Sequence, residues 1–500
     1  MQGKLKVPSA GKKRKWLIPL SIILFMAVLA LLTKDLFFAR NGADTKMQSI
    51  AVLPFANMSA DPNQEYFADG LTEELLNLLA QVQNLQVTSR TSAFSFKGKD
   101  LSVPAIAKEL SVNHVLEGSV RKSGDQVRIT VQLIQATEDM HLWSNTYDRK
   151  LNNIFEVQDE IASKVVDVLE VKLLGDSAPK TMGADPQAYT LFLESRHQSG
   201  LSTMESLQRA ELLIKQSITI DSTFAPSWKQ LGEIYVFQTN GGIRPTTEGY
   251  LLARQAAERS LALDSTYALA HSILGIVSFY EWDFEQFNMH LTKALELDPG
   301  NSEIVLWSGI QESIAGDPYK AVQLIEKAVQ LDPVTYRPLG ILMTGYYYVG
   351  RCDDAIRTAR EALRSNPRNP SSRATIGLCH LQQGLLKEAE AAFDEISLDW
   401  LSYTVQSMLA FAQGDTARSD EQFNQLIVQF GAFAGYQIAQ INAFRNNHDK
   451  TFEWLQKAYE AKDPGLTHLR TDPIFKTVHS DPRWKPFLVK MGLNPEPWET

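Results

Sequence analysis

A period of 34 residues constrains this chain more than any other feature. Its marks are Asp264, Asp298, Asp332 and Asn366, and Asp221 precedes them by one period plus nine inserted residues. Proline follows each of the last three marks directly. Proline cannot continue a helix, and the residue before it is driven out of the helical region, so each mark is expected to end a helix.

Each period also contains a turn near its middle. Apolar residues at helical spacing precede the stops, as in residues 321–331, while Gly316, Gly350 and Gly384 stand half a period earlier. A glycine there closes a first helix before a second one begins. The pattern predicts stacked helix–turn–helix units, an all-α superhelical solenoid, and solenoids usually bind rather than catalyse.

The sequence motifs of the repeat resemble those of a known family. The segment from Trp228 to Tyr235, with Leu231 and Gly232 between them, is similar to the signature of the tetratricopeptide repeat. Small residues such as Ala294, Ala328 and Ala362 take the late positions at which that family packs its helices closely. We expect about eight repeats over residues 185–464 and a helical cap over 465–500. The first is degenerate (191–224), and the others begin near Ala225, Ala268, Ser302, Tyr336, Pro370, Trp400 and Ala432.

An uncharged segment near the amino terminus predicts a membrane anchor. Residues 16–32 hold 17 consecutive uncharged residues, and the apolar stretch continues to Phe38. Residues 1–15 carry six basic residues and no acidic one, which favours a cytoplasmic tail. We therefore expect a transmembrane helix over 16–38, a linker over 39–48, and a periplasmic or extracytoplasmic bulk on a bacterial inner membrane. A cleaved signal peptide is the alternative interpretation.

Residues 49–175 do not follow the period and predict a separate α+β domain. Short apolar strands are expected near residues 50–55, 85–88, 114–120, 127–133 and 141–147. Helices are expected over 71–79, over 103–110 and from Ile154 to Val168. About 125 residues can bury their own core.

The sequence of this domain resembles that of the TolB amino-terminal-like domain of bacterial signalling proteins. The resemblance rests on residues 51–81, 87–99, 113–134 and 141–149. It implies a membrane-anchored signalling protein with tetratricopeptide repeats, in a family whose other members carry a nucleotide cyclase or a winged-helix module before the membrane. Because about 15 residues precede the anchor here, we expect neither module.

The sequence offers little for catalysis. It lacks phosphate-loop, dinucleotide, nucleophile-elbow and HExxH motifs, and its nine histidines are scattered. Cys352 and Cys379 are too few for a zinc site; two free thiols are the simpler interpretation, although one disulfide is conceivable. A net charge of −9 argues against nucleic acid as a partner. We expect no cofactor, no metal and no enzyme, with activity inside 49–175 as a remote alternative.

The resemblance to tetratricopeptide repeats implies a groove for a protein or peptide, lined by the first helix of each unit. Counting along those helices selects Lys229, Glu233, Val236, Ser272, Ile276, Phe279, Arg337, Thr344 and Tyr347. Packing between repeats explains at least one of Tyr346, Tyr347 and Tyr348, so exposure of Tyr347 stays open. The predicted function is a membrane-anchored scaffold, with an envelope sensor subunit as the alternative and a small-molecule ligand unexpected.

Overall fold

The computed structural model describes residues 48–82, 84–169, 171, 183–201 and 203–496. The predicted tail, the transmembrane helix over 16–38 and nearly all of the linker lie outside those residues. Among the helices in the described part of the chain, none combines the length and the apolar character needed to cross a bilayer.

The first domain is built on a six-stranded sheet with the order β3-β1-β4-β5-β6, in which β2 pairs with β4. The first three strands of that order run parallel, while β4, β5 and β6 form an antiparallel meander. The strands are β1 (Gln48–Val52), β2 (Ala56–Asn57), β3 (Leu85–Val87), β4 (His114–Ser123), β5 (Gln126–Gln135) and β6 (Met140–Lys150).

Four helices complete this domain: α1 (Glu65–Ala80), α2 (Arg90–Phe94), α3 (Val103–Leu110) and α4 (Ile154–Val168). Alternation along β1 sends Ile50 and Val52 into the core shared with α1 and α4. Ala51 and Leu53 point to the opposite face, where α3 packs. The sheet is therefore covered on one face by α1 and α4 and partly on the other by α3.

Eight antiparallel helix pairs follow, and we number them as units 1 to 8. They are α5 (Pro186–Gly200) with α6 (Met204–Ile220), α7 (Ala225–Asn240) with α8 (Thr246–Leu263), α9 (Ala268–Glu281) with α10 (Phe284–Leu297), α11 (Ser302–Ala315) with α12 (Pro318–Leu331), α13 (Tyr336–Tyr348) with α14 (Cys352–Ser365), α15 (Pro370–Gln382) with α16 (Leu386–Phe393), α17 (Asp399–Ala412) with α18 (Thr416–Phe430), and α19 (Gly435–Phe444) with α20 (His448–Glu460). An α+β domain followed by a helical solenoid is thus confirmed as the fold class.

Local chemistry explains how each pair turns. Gly350, Gly384 and Gly414 take positive φ angles between the helices of units 5, 6 and 7, where a residue without Cβ is unstrained. Asp317 and Asp415 cap the following helices by accepting from backbone N–H groups. At the ends of the pairs, Asp298 and Asp332 leave the helix with extended φ angles near −140° and −133°.

Residues after unit 8 do more than cover the last repeat. They form two 3-10 turns, Pro464–His468 and Pro473–Val478, and a short helix, α21 (Trp484–Lys490). Tyr348 at the end of α13 packs against His468, with ring centroids 5.4 Å apart, and a Cβ on Gly492 would lie 3.8 Å from the Phe284 ring of α10. The carboxyl-terminal segment (residues 464–496) therefore returns to units 3 to 5.

Candidate binding surfaces of the solenoid

The structure places most of the predicted groove residues in the interior. Arg337 is the exposed member of the set, and Glu233, Phe279 and Thr344 are partly buried. The buried members are Lys229, Val236, Ser272, Ile276 and Tyr347. The inner surface of the solenoid is thus largely occupied by other parts of the same chain, and the assignment of these residues to partner binding stays a prediction.

Helix α1 of the first domain occupies the inner surface of the early units. A side chain at Gly70 would collide with Leu193 of α5, so the two helices meet closely at this glycine. Farther along α1, Glu73 and Glu74 both form ion pairs with Arg196 of α5. The early groove is filled by a helix from the chain's own amino-terminal domain.

This contact between the domains is ionic and shielded from water. The Arg196 side chain is 12% exposed and that of Glu73 is 14% exposed. Burial alone would lower the pKa of Arg196, but Glu73 and Glu74 outweigh it and raise that pKa. Burial raises the pKa of Glu74, whereas Arg196 and Arg90 hold the pKa of Glu73 below its usual value. Both carboxylates therefore share Arg196, and Glu73 is also paired with Arg90 at 3.0 Å.

A second ionic contact lies one turn earlier on α1. Asp69 is 3.3 Å from Nδ1 of His197 and also pairs with Lys97. Burial works to raise the pKa of Asp69, but hydrogen bonds from His197 and Lys97 prevail and lower it. The carboxylate therefore stays charged at neutral pH and links the first domain to α5.

The first domain also reaches the segments that join one unit to the next, which we call the connector edge. Asp332 accepts hydrogen bonds from the hydroxyls of Ser89 and Ser92 at 2.7 and 2.6 Å. The N–H of Ser89 donates to the carbonyl oxygen of Leu331 at 2.6 Å. One unit earlier, a Cβ on Gly300 would lie 2.1 Å from the carbonyl oxygen of Ala80. The repeat marks that stop helices thus also hold the first domain.

Asp298, another repeat mark, lies beside this contact. It lines a cavity of 240 Å³ together with Asn77 of α1, Gln81 just after that helix, and Tyr267 of the preceding connector. Burial raises the pKa of Asp298 to about 6, although Gly300, Asn301 and Lys327 favour its charged form. Sequence reasoning missed this role, since the 34-residue spacing shows only that a helix ends there.

The later units are filled from the other end of the chain. Asp472 accepts hydrogen bonds from the Tyr436 hydroxyl at 2.8 Å and from Gln440 at 2.5 Å, both on α19. Burial raises the pKa of Asp472, whose neighbours here are uncharged donors. Burial also raises the pKa of Tyr347, and Asp472 acts in the same direction. The carboxyl-terminal segment therefore covers the tyrosine that the repeat phase had assigned to the groove.

An exposed aromatic surface remains at the connector edge of units 7 and 8. Phe433 is 59% exposed, and its ring lies 5.6 Å from that of Phe430. Phe430 in turn lies 6.2 Å from Tyr403, and Trp400 stands one helical turn before Tyr403 on α17. We call Trp400, Tyr403, Phe430 and Phe433 the aromatic surface. Phe433 is the exposed member, while Trp400, Tyr403 and Phe430 are partly buried against the core of units 7 and 8. Exposed apolar patches are a feature of interaction sites.

The lysine that lines a cleft in the first domain is already paired with carboxylates of the same domain. A cleft of 710 Å³ beside α3 is lined by Lys97, Glu65 and Glu117 among others, but Lys97 is engaged by Glu65 at 2.7 Å and by Asp69. Among the residues the structure describes, no group of three or more histidine, cysteine or acidic side chains is placed to hold a metal ion. Cys352 and Cys379 are both buried and free.

Comparison with known proteins supports two parts of the chain separately. The family model for the second domain of HilA/YgeH-like transcriptional regulators matches residues 45–164, and a tetratricopeptide-repeat model matches residues 344–400. The tetratricopeptide match thus falls on units 5 and 6 and the start of unit 7 of the solenoid. The match to the first domain bears the HilA/YgeH name, so the resemblance to TolB-like domains stays a prediction.

Among curated relatives, the chain is similar to "Putative adenylate cyclase 3" of Rhizobium meliloti (strain 1021), with 37% identity over 239 residues covering 46% of this chain and 40% of that protein. It is also similar to the transcriptional regulator HilA of Salmonella typhimurium (strain LT2), with 27% identity over 183 residues covering 35% of this chain and 33% of that protein. The chain spans less than half the length of either relative.

Solved structures similar to the solenoid include pilF of Pseudomonas aeruginosa and a tetratricopeptide repeat protein of Parabacteroides merdae. The first is 20% identical, with a TM-score of 0.35 and coverage of 45% of this chain and 98% of that one. The second is 15% identical, with a TM-score of 0.38 and coverage of 50% and 98%.

Proposed function

We propose that this chain is a non-enzymatic, membrane-anchored scaffold that binds a protein partner at the connector edge of its last units. A tetratricopeptide-type solenoid presents large, regularly spaced surfaces and is well suited to binding. The inner surface holds α1 and the carboxyl-terminal segment, so a partner that leaves the chain unchanged has to bind elsewhere. Arg337 is the predicted groove residue that such a partner could still reach.

The aromatic surface is the observation that carries this proposal. The connector edge already binds one protein domain, because Asp332 and Gly300 contact the first domain of the same chain. Farther along the edge, Phe433 is 59% exposed and Leu398 is 38% exposed. Tyrosine, tryptophan and other large rings dominate binding energy at protein interfaces. A second protein domain that packs on this stretch would extend an interface the chain already uses.

Photo-crosslinking in cells tests the surface. With benzoylphenylalanine in place of Phe433 in the full chain, we expect one discrete covalent adduct with another protein. The same substitution at Leu251 is the matched control, since Leu251 is an apolar residue on α8 that is 52% exposed. Adding Phe430→Ala is expected to reduce the adduct strongly. Equal adducts at both positions, or none at Phe433, would contradict the proposal.

The anchoring part of the proposal rests on the uncharged segment of residues 16–32 and on the basic residues before it. We expect the chain to stay with membranes after alkaline carbonate extraction and to be protected from cytoplasmic protease beyond residue 40. Deleting residues 16–38 should release it. If the intact chain is extracted as readily as the deletion variant, the anchor is wrong.

A sensor subunit is the second candidate. It is favoured by the buried ion pairs of Arg196 with Glu73 and Glu74, which couple the solenoid to the first domain. The names of the relatives, a cyclase and a transcriptional regulator, agree with a signalling role. Replacing residues 1–15 by a neutral sequence that preserves topology separates the two functions. A sensor would lose its cytoplasmic output, whereas a scaffold would keep its crosslink at Phe433.

A further inference from the structure

A cleft of 330 Å³ lies where the carboxyl-terminal segment meets units 4 and 5. Its apolar wall includes the rings of Tyr319, Tyr348 and Trp484. Arg470, Lys476 and Lys485 supply positive charge around these rings. A few polar groups on a mostly apolar wall form the usual lining of a site for a small organic molecule.

Contacts within the chain show which functional group these cations bind. Lys485 Nζ lies 3.1 and 3.3 Å from the two carboxylate oxygens of Glu496, and Arg470 donates to the carbonyl oxygen of the same residue at 3.3 Å. The Lys485 and Glu496 side chains are 57% and 67% exposed. An ion pair so exposed to water contributes little stability, so another carboxylate can displace Glu496 at low cost.

The remaining charges leave the cleft positive. Three cations line it against the single carboxylate of Glu496, while Asp317 lies near enough to oppose the effect of burial on the pKa of Arg470. His479 stacks on Trp484 with centroids 4.5 Å apart. Burial and the charge of Lys476 lower the pKa of His479, so this imidazole adds a neutral, flat surface at neutral pH.

We propose that this cleft binds a small organic anion in which a carboxylate is joined to an aromatic body. The carboxylate takes the place of Glu496 on Lys485 and lies within reach of Lys476, and the ring packs against Tyr348 and Tyr319, which is 39% exposed. A ligand there contacts both the carboxyl-terminal segment and units 4 and 5, so it holds that segment against these units. This departs from the sequence-based prediction, in which a small-molecule ligand was unexpected.

Calorimetric titration of the purified full chain with naphthalene-2-carboxylate tests the site. Removing a charged hydrogen-bond partner should cost about a factor of ten in affinity, so Lys485→Gln and Lys476→Gln are each expected to weaken binding about tenfold. Glu496→Gln removes the competing carboxylate and is expected to tighten binding several-fold. Lys387→Gln, at an exposed lysine on α16, is the matched control and should change nothing.

The opposite signs expected for Lys485→Gln and Glu496→Gln distinguish a ligand site from a structural ion pair. If the pair only stabilised the fold, both substitutions would act in the same direction. Naphthalene-2-carboxamide, which has the same body without the charge, should bind at least tenfold more weakly. Equal binding of carboxylate and carboxamide, or no binding of the carboxylate to the Glu496→Gln chain in the millimolar range, would overturn the proposal.

Discussion

The two halves of the solenoid use one repeat but are closed by different chemistry. In the early units, α1 fills the inner surface through carboxylates that pair with Arg196 and His197. In the later units, the carboxyl-terminal segment fills it through aromatic packing and through Asp472, which is held by neutral donors. The repeat determines the curvature of the surface, and the segments outside the repeat determine what that surface can still bind.

This difference has energetic consequences. A buried ion pair loses much of its attraction to desolvation, and its rupture leaves an uncompensated charge. A buried carboxyl held by neutral hydrogen bonds responds instead to pH, because its charged form is disfavoured. We therefore expect a single substitution in the early contact to lower the free energy of unfolding strongly. Each single substitution in the later contact should lower it only slightly.

The largest effect is expected at Arg196. Arg196→Met keeps the apolar stem but leaves Glu73 and Glu74 buried without their shared partner, which should cost about 3–5 kcal/mol in the free energy of unfolding. Urea unfolding at neutral pH measures it. Arg337→Met removes an exposed guanidinium, 2.7 Å from Glu303, and is the control. Its cost should stay under about 1 kcal/mol. Similar costs at the two sites would show that the contact of Arg196 with Glu73 and Glu74 does not behave as a buried ion pair.

The next effect concerns Asp298. Burial raises its pKa to about 6 in the folded chain, while an unfolded aspartate titrates near pH 4. As pH rises from 4 to 6, Asp298 loses its proton first in the unfolded state, so the free energy of unfolding falls. The total fall, reached above the folded pKa, is about 3 kcal/mol. Asp298→Asn removes this dependence.

Urea unfolding of both proteins at several pH values between 4 and 7 isolates the contribution of Asp298. The substituted chain should gain stability relative to the natural one as pH rises, and the gain should level off above about pH 6. Lys327, whose charge acts to lower the pKa of Asp298, is retained in both proteins. A constant difference across this range would show that Asp298 is not held neutral by its surroundings.

The repeat was accessible to sequence reasoning because its cause is local. Ala225, Ala268, Ser302, Tyr336 and Pro370 are the first residues of α7, α9, α11, α13 and α15. Proline and glycine act on the backbone within one turn, so they reveal helix limits without any knowledge of tertiary structure. In units 7 and 8, α17 begins at Asp399 and α19 at Gly435, where the sequence had suggested Trp400 and Ala432.

The occupancy of the groove was not accessible in the same way. Repeat phase assigns Tyr347 to the inner side, yet the residue is buried and lies near Asp472, while its neighbour Tyr348 packs against His468. Asp472 and His468 both belong to a segment without the period. The contacts of Glu73 with Arg196 likewise join distant positions whose charges look like ordinary solvated residues in the sequence. Long-range partners of this kind leave no local signal.

The smallest effect is expected in the later half, at Tyr436. Tyr436→Phe removes one hydroxyl, while Asp472 keeps the hydrogen bonds from Gln440 and from the N–H of Ile474 at 3.0 Å. Loss of one of three donors should cost about 1–2 kcal/mol, because the bond is buried and its acceptor is a carboxyl group. Tyr403→Phe is the control, since the Tyr403 hydroxyl accepts from Gln429 at an exposed site, 3.3 Å away. Urea unfolding that gave Tyr436→Phe a cost equal to that of Arg196→Met would remove the distinction between the halves, because both contacts would then fail as single units.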